Sequence, residues 1–339
     1  MDSPTKLVII IPCYNEEAML PETLRDLPRA IDGIDEIETI VIDDGSSDGT
    51  TRLARRLGVD RVIRFRRNQG LAAAFSTGID EALRRGATVI VNTDADNQYR
   101  GQDIPRLIGP ILRGEADLVV GDRQVRNHPE FSGVKKVLQR IGSWVVRRLS
   151  RTRIPDATSG FRAYSREAAL RLNVISRFSY TLETLIQAGI ERFAIASVPV
   201  SINPKRRESR LFRSNLGYIR ASINTMLRIH LLYRPLRTFF IPGALGILGG
   251  AVLGLRFLYY YLSEGGYGHI QSLILATILI LGGSAVVLAG FLADLIAANR
   301  RLVERVLVKL RKLELERTPD PDPEISRRVF EVETIATDR

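Results

Sequence analysis

The stretch Ala87-Thr-Val-Ile-Val-Asn-Thr-Asp-Ala-Asp-Asn-Gln-Tyr99 decides how the chain is read. It opens as a continuous apolar run rich in β-branched residues. A strand buried on both faces of a parallel sheet has that composition. The run then breaks into Asp94-Ala95-Asp96, followed by Asn97 and Gln98. Two carboxylates one residue apart, past the carboxyl end of a buried strand, lie where open α/β sheets bind ligands. They are hard oxygen donors, suited to Mg²⁺ or Mn²⁺ bridging to a diphosphate. An Asp-x-Asp is common, and a polar loop holding two acids is the plainer reading, so the neighbours must decide.

Working outward, apolar runs at 7–12, 37–42, 61–65, 88–92 and 116–120 read as strands. Between them lie helical patterns: one opened by Glu16 and Glu17 and running to about 29, one following Ser47-Asp48, one over 71–85, and one begun by Asp103. This β-α-β alternation, with polar residues gathered at strand ends, predicts a mostly parallel, Rossmann-like α/β sheet with helices on both faces. Beyond Arg123 the pattern loosens. Residues 132–150 read as a basic amphipathic helix, 156–162 as a turn-rich insertion, 178–188 as a helix and 194–202 as a strand.

The second half differs in character. Basic residues crowd the approach to position 238 (Lys205, Arg206, Arg207, Arg210, Arg213, Arg220, Arg228, Arg234, Arg237). Residues 211–234 alternate apolar residues with arginine at helical spacing, which suits a helix in the membrane interface or, more plainly, a solvated helix on its own domain. Segments 238–262 and 270–293 each exceed the roughly 20 residues that cross a hydrocarbon core. Glycines recur in both, joined by Ser284 in the second, and permit close packing. The short connection 263–269 makes them a hairpin, with positive charge on the outer flanks and almost none between. That bias predicts a multi-pass cell-membrane protein with the N-terminal α/β domain and both termini cytoplasmic. Val303, Val306, Leu310 and Leu313 mark a separate short helix over 300–317, and the Pro/Asp run at 319–323 a flexible tail. The domains expected are 1–210 (catalytic), 211–237 (interfacial helix), 238–296 (membrane hairpin) and 297–339 (cytoplasmic helix and tail).

Composition excludes some classes. A single cysteine, Cys13, rules out an intramolecular disulfide framework, and with no neighbouring histidine it reads as core filler. Three scattered histidines (His128, His230, His269) argue against a His-rich zinc site. The net charge of +11 flanks apolar segments, which fits a membrane surface and phosphorylated substrates rather than nucleic acid. No cleavable signal peptide is expected, because the first strand starts almost at once.

Pro12-Cys-Tyr-Asn-Glu-Glu17, Val41-Ile-Asp-Asp-Gly-Ser-Ser-Asp-Gly-Thr50, Asn68-Gln-Gly70, Asp94-Ala-Asp96 and Ser159-Gly-Phe-Arg162 occur in that order. Together, over about 1–215, they resemble family 2 glycosyltransferases, and within these the polyprenyl-phosphate sugar synthases of dolichol-phosphate mannose synthase type. The resemblance implies a GT-A fold. It implies that Pro12, Tyr14, Glu16 and Asp43 hold the nucleoside, and that Asp44 and Asp94 lie near nucleotide and sugar. It implies that Asp96, with Asp94 and Gln98, holds Mg²⁺ or Mn²⁺, and that Arg123 and Arg162 face phosphate. Lys205-Arg-Arg-Glu-Ser-Arg210 resembles the family's Arg-x-x-Gly-Glu-Ser-Lys stretch, which would take the lipid phosphate. Here Arg207 replaces the Gly, Arg210 the Lys, and Pro204 the leading Arg. The Gln-x-x-Arg-Trp signature of polymer-making synthases is absent, and the one tryptophan, Trp144, has no such context.

Sugar transfer places negative charge on a leaving diphosphate, which a cation and arginines stabilise. A lipid phosphate, with a second pKa of about 6, is largely ionised at neutral pH and needs no strong base. Asp156 is therefore expected to orient sugar or metal, with a base role left open. The expected reaction is inverting transfer of one hexose from UDP-glucose or GDP-mannose to a polyprenyl phosphate at the cytoplasmic membrane face. A diacylglycerol or lipid-linked oligosaccharide acceptor, and a non-catalytic sugar-nucleotide-binding scaffold, are the alternatives. Homo-oligomerisation stays open.

Overall fold

Leu7, Val8, Ile9, Ile10 and Ile11 all have zero solvent exposure. Successive strand residues point to opposite faces, so such a run must be covered on both. In the computed structural model, which describes residues 4–124, 154–174, 180–203, 235–265 and 270–317, it is. Leu7, Ile9 and Ile11 join a core with Leu20, Ile104, Leu107 and Ile108, while Ile10 and Ile42 meet Gly78 on the other side.

The strands are β1 (Lys6–Cys13), β2 (Glu36–Asp43), β3 (Arg61–Arg64), β4 (Val89–Asn92), β5 (Leu118–Asp122), β6 (Arg162–Ser165) and β7 (Ile195–Pro199). They form one seven-stranded sheet in the order β3-β2-β1-β4-β6-β5-β7. All pairings are parallel except those of β6 with β4 and β5. The order runs outward from β1 through β2 to β3, then resumes on β1's other side at β4. That reversal is a topological switch point, and the crevice beyond the carboxyl ends of β1 and β4 is where such sheets bind ligands. Register sets Cys13 beside Asp43 and Asn92 beside Arg162.

The helices of this unit are α1 (Leu20–Asp26), α2 (Thr50–Arg56), α3 (Leu71–Arg84), α4 (Ile104–Leu112), α5 (Arg166–Arg171) and α6 (Tyr180–Ile190). Helix α3 lies close on β1 and β2 because residue 78 is glycine: a Cβ there would stand 2.9 Å from Ile42 Cδ1. Helix α1 is shorter than its pattern predicts, since Leu27 precedes Pro28 and is driven to extended geometry at ψ 141°. Strand β6 starts on the last residue of the turn-rich insertion expected over 156–162, and helix α5 follows it where no element was expected. Ser165 ends the one and caps the other, its hydroxyl accepting from Ala168 N at 3.2 Å.

The second compact unit spans residues 226–307. Its helices are α7 (Pro235–Glu264) and the start of α8 (Ile270–Arg317). Both exceed the membrane-crossing length, with mean hydropathies of 1.8 and 2.4 in their most apolar windows. Their outward residues, Leu248, Leu255, Leu262, Leu281 and Leu288 among them, are apolar and exposed, the inverse of a soluble helix pair. Helix α8 runs unbroken through 317 rather than ending near 293 and restarting at 300. No Gly or Pro interrupts 291–317, and Arg300–Glu304 at 2.8 Å supports the helix across the expected break. The expected helices at 132–150 and 211–234 and the tail at 319–323 lie outside the described residues.

Glycines bring α7 and α8 together. A Cβ on Gly250 would stand 2.7 Å from Ala276 O, and one on Gly283 2.6 Å from Gly243 O. Backbone cannot yield as a side chain can. Gly283→Leu is therefore expected to lower the thermal midpoint of the detergent-solubilised protein by several degrees, an overpacking cost of about 1–3 kcal/mol. Gly254→Leu, at a position with nothing within 4 Å, should leave it unchanged. Equal midpoints for both variants would refute the packing.

Candidate active site

The loops after β1 and β2 interlock. Asn15, in the left-handed region at φ 55°, donates its N–H to Ser46 Oγ at 2.8 Å, and its Oδ1 accepts from Ser47 N at 2.8 Å. Glu16 N donates to Thr50 Oγ1 at 2.9 Å, and Gly49 N to Glu17 Oε2 at 2.8 Å. The two acids ending β2 face the protein's own backbone and hydroxyls. Asp43, fully buried, accepts from Ser46 N at 2.8 Å and from the Thr51 hydroxyl. Asp44 accepts from Gln69 N at 2.6 Å and Gly70 N at 2.9 Å, and burial pushes its carboxyl above the usual range. Both side chains thus shape the crevice wall. Pro12 is a buried residue of β1 and Glu16 is buried behind it, while the Tyr14 ring is 44% exposed.

Past β4, Asp96 Oδ1 accepts from Gln98 N at 3.1 Å, a local turn that places Asn97 at φ 54°. Thr23 on α1 anchors the loop by donating to Ala95 O at 2.8 Å. Asp94 lies so close to Gly160 that a Cβ there would be 3.0 Å from one carboxylate oxygen and 3.1 Å from the other. Burial and the neighbouring Asp96 charge push the Asp94 carboxyl up to about 7, against the opposing pull of Arg123. Two acids held together at such cost are chemically suited to a divalent cation. Among the described residues no third His, Cys, Asp or Glu completes a cluster. This fits Mg²⁺ or Mn²⁺, which take one or two carboxylates and fill the remainder with substrate phosphate and water.

Arg123, just past β5, is held in a fork. Its Nε and Nη2 reach the two oxygens of Asp156 at 2.7 and 3.0 Å, and Nη2 also donates to Thr158 Oγ1 at 2.9 Å. Its Nη1 has no hydrogen-bond partner among the described residues, so two N–H groups remain for an anion. Asp156 is 1% exposed, and Thr158 N and Oγ1 also donate to it. An acid engaged at both oxygens is a group that aims an arginine, and it is ill placed to take a proton.

Arg162 departs from the phosphate-facing position expected. Its side chain has no solvent exposure. It donates to Ser159 O, Ala157 O, Thr181 O and Thr184 Oγ1 at 2.7–2.8 Å. Four of its five N–H groups are consumed inside the protein. Gln98 lies on the loop, with its carbonyl taken by Asn203 N at 2.9 Å. The basic group Lys205, Arg206, Arg207 and Arg210 falls outside the described residues.

Three further residues join the site unforeseen. Asn92 Nδ2 donates to Gly160 O and Tyr180 Oη, both at 2.8 Å, and Gly160 N donates to Tyr99 Oη at 3.1 Å. Tyr180 stacks on Phe75 with centroids 4.1 Å apart, and Tyr99 on Phe161 at 5.1 Å. The clue to Asn92 was a lone amide ending an apolar strand. The tyrosines carried no local signal. Arg162→Met would leave several buried acceptors unsatisfied, so it should destabilise the protein by about 3 kcal/mol, read as a fall in denaturation midpoint. Arg162→Lys should recover little, because one ammonium cannot span the fork. A wild-type midpoint in Arg162→Met would refute this structural role.

A model of glycosyl transferase family 2 matches residues 8–172, which contain the five motifs from Pro12–Glu17 to Ser159–Arg162 but not the stretch at 205–210. The polyprenol monophosphomannose synthase of Mycolicibacterium smegmatis is 32% identical over 214 residues, covering 59% of this chain and 78% of the relative. The UDP-N-acetylglucosamine–dolichyl-phosphate N-acetylglucosaminyltransferase of Methanococcus voltae is 31% identical over 219 residues, covering 57% and 84%. The glucosyl-3-phosphoglycerate synthase of Mycobacterium tuberculosis, solved with Mn²⁺, UDP and glucosyl-3-phosphoglycerate, has a TM-score of 0.51 at 21% identity, covering 67% of this chain and 79% of that one. That likeness is one of fold. With the GT-A sheet, the acid pair at its switch point, the family match and a relative 32% identical over 78% of its length, the chain belongs to glycosyltransferase family 2.

Proposed function

We propose that this protein transfers one hexose from a nucleotide sugar to a polyprenyl phosphate, with inversion, at the cytoplasmic face of the membrane. One observation carries the choice of acceptor. The acid best placed by sequence to serve as a base, Asp156, is engaged at both oxygens and aims Arg123 instead. A hydroxyl acceptor needs a base, whereas an ionised phosphate does not. The relatives named for polyprenyl and dolichyl phosphate support the same reading.

In this reading the acceptor's phosphate oxygen attacks the anomeric carbon as the bond to the diphosphate breaks. The electron pair leaves with the nucleoside diphosphate, and no proton need move. Asp94 and Asp96, with Gln98, would hold the cation, which when bound neutralises charge on the leaving diphosphate. Arg123 offers its Nη1 to a phosphate. Tyr14, exposed at the crevice, supplies a ring face to the nucleoside, and Pro12, Glu16, Asp43 and Asp44 fix the wall behind it. UDP-glucose and GDP-mannose are both candidate donors. Lys205, Arg206, Arg207 and Arg210 would meet the lipid phosphate, and the apolar hairpin would anchor the enzyme with both termini cytoplasmic, dividing the chain at 210, 237 and 296.

The test uses detergent-solubilised protein, a short polyprenyl phosphate and a panel of labelled nucleotide sugars, with label counted in the organic phase. EDTA should abolish transfer, and Mg²⁺ or Mn²⁺ should restore it. Asp96→Asn is expected to lower turnover at least 100-fold, and unchanged lipid labelling would overturn the proposal. Asp156→Asn should cost about tenfold with no change in the shape of the pH profile, because an aiming residue does not titrate in the rate-limiting step. Loss of an acid limb in that variant would instead indicate a base, and hence a hydroxyl acceptor.

A further inference from the structure

The chain leaving β7 crosses the acidic loop and is stitched to it at one residue. Asn203 N donates to Gln98 O at 2.9 Å. Its Nδ2 donates to Asn97 O at 2.9 Å, and its Oδ1 accepts from Arg100 Nε at 3.1 Å. Beside it Ile202 bridges antiparallel to Tyr99, and Ser201 N donates to Asp103 Oδ2 at 2.6 Å. Asn203 therefore holds three positions of the segment immediately following Asp96. One of them, Asn97, has the uncommon left-handed backbone at φ 54°. Non-glycine residues keep that geometry where surrounding contacts over-determine it. The turn that Asn97 makes returns Gln98 N to Asp96 Oδ1 at 3.1 Å, which fixes the Asp96 carboxylate.

We infer that Asn203 is a positioning residue for donor binding: through the Asn97 and Gln98 carbonyls it holds the Asp94–Gln98 loop in the shape that takes a cation and a nucleoside diphosphate. It does so with both functions of one amide. The Nδ2 donor closes on Asn97 O while the Oδ1 acceptor is fixed by Arg100, so the amide cannot flip without losing both bonds. Alanine loses both. Aspartate keeps the acceptor but sets a charge against the Asn97 carbonyl. Misplacing a ligand by about 1 Å suffices to cost large factors in binding and rate. The inference rests on the proposed reading of that loop as the metal–diphosphate site.

The experiment uses the full chain in detergent, with Mn²⁺ and either UDP or GDP as probes. Free Mn²⁺ is counted by electron paramagnetic resonance, and hydrogen exchange is followed at the peptide containing Gln98. Asn203→Ala and Asn203→Asp should each weaken Mn²⁺–nucleotide binding about tenfold and speed exchange at that peptide, with exchange in β1 and β2 unchanged. Wild-type affinity in both variants would overturn the inference, as would faster exchange throughout the sheet, which marks a general folding defect. Asp96→Asn separates the two readings. If it too binds Mn²⁺–nucleotide normally, the assignment of the loop has failed. If it loses binding while both Asn203 variants keep it, only the role of Asn203 has failed.

Discussion

Arg162 donates hydrogen bonds from a fully buried guanidinium to two carbonyls of the 157–159 turn and to a carbonyl and hydroxyl of α6. A buried charge is tolerated only where such partners surround it, so the turn and the helix cannot part without stranding it. On either side of that turn lie the groups that matter. Asp156 precedes it and aims Arg123, and Gly160 follows it and sits against Asp94. The cationic and anionic sides of the crevice are thereby tied to one buried arginine whose bonded donors are spent within the protein. Ladder register adds to this, since Arg162 is also the residue beside Asn92 at the end of β4.

The acids around the crevice have separate duties because their surroundings differ. Asp43 and Asp44 each accept hydrogen bonds from groups within the fold. Asp94 feels burial and Asp96 together, which leaves it poorly matched to the protein alone. Arg123 gives part of the balance while Asp156 already claims two of its nitrogens. The acid pair after β4 is thus a setting that a divalent cation would relieve, whereas the acids of the wall behind it are hydrogen-bonded within the fold.

The β-branched runs made β1, β2 and β4 legible, because burial on both faces leaves a composition that few other elements share. The membrane hairpin was legible from apolar length, and its glycines from spacing, although only some of them face the partner helix: Gly254 and Gly282 do not. Strand β6 was not legible. It is four residues long and begins with an arginine, and only its pairing between β4 and β5 makes it a strand. Arg162 was expected to face phosphate because Ser159–Arg162 resembles the family's motif, and its carbonyl partners leave no trace in sequence. The Arg123–Asp156 fork joins residues 33 positions apart, and no local pattern announces it. Asn203 lies one residue past the strand expected over 194–202, where no local pattern marked it.

The antiparallel strand has a consequence for how this architecture diversifies. Because β6 runs against β5, the chain leaves β5 and enters β6 at the same end of the sheet, where Gly121 N meets Phe161 O at 2.9 Å. The two ends of that excursion are joined by the ladder itself. The segment between Arg123 and Asp156 can change in length with only a slowly growing closure entropy and no change in strand order. A change of length there would leave the Arg123–Asp156 fork, which closes the segment at its two ends, tied to the same corner of the sheet.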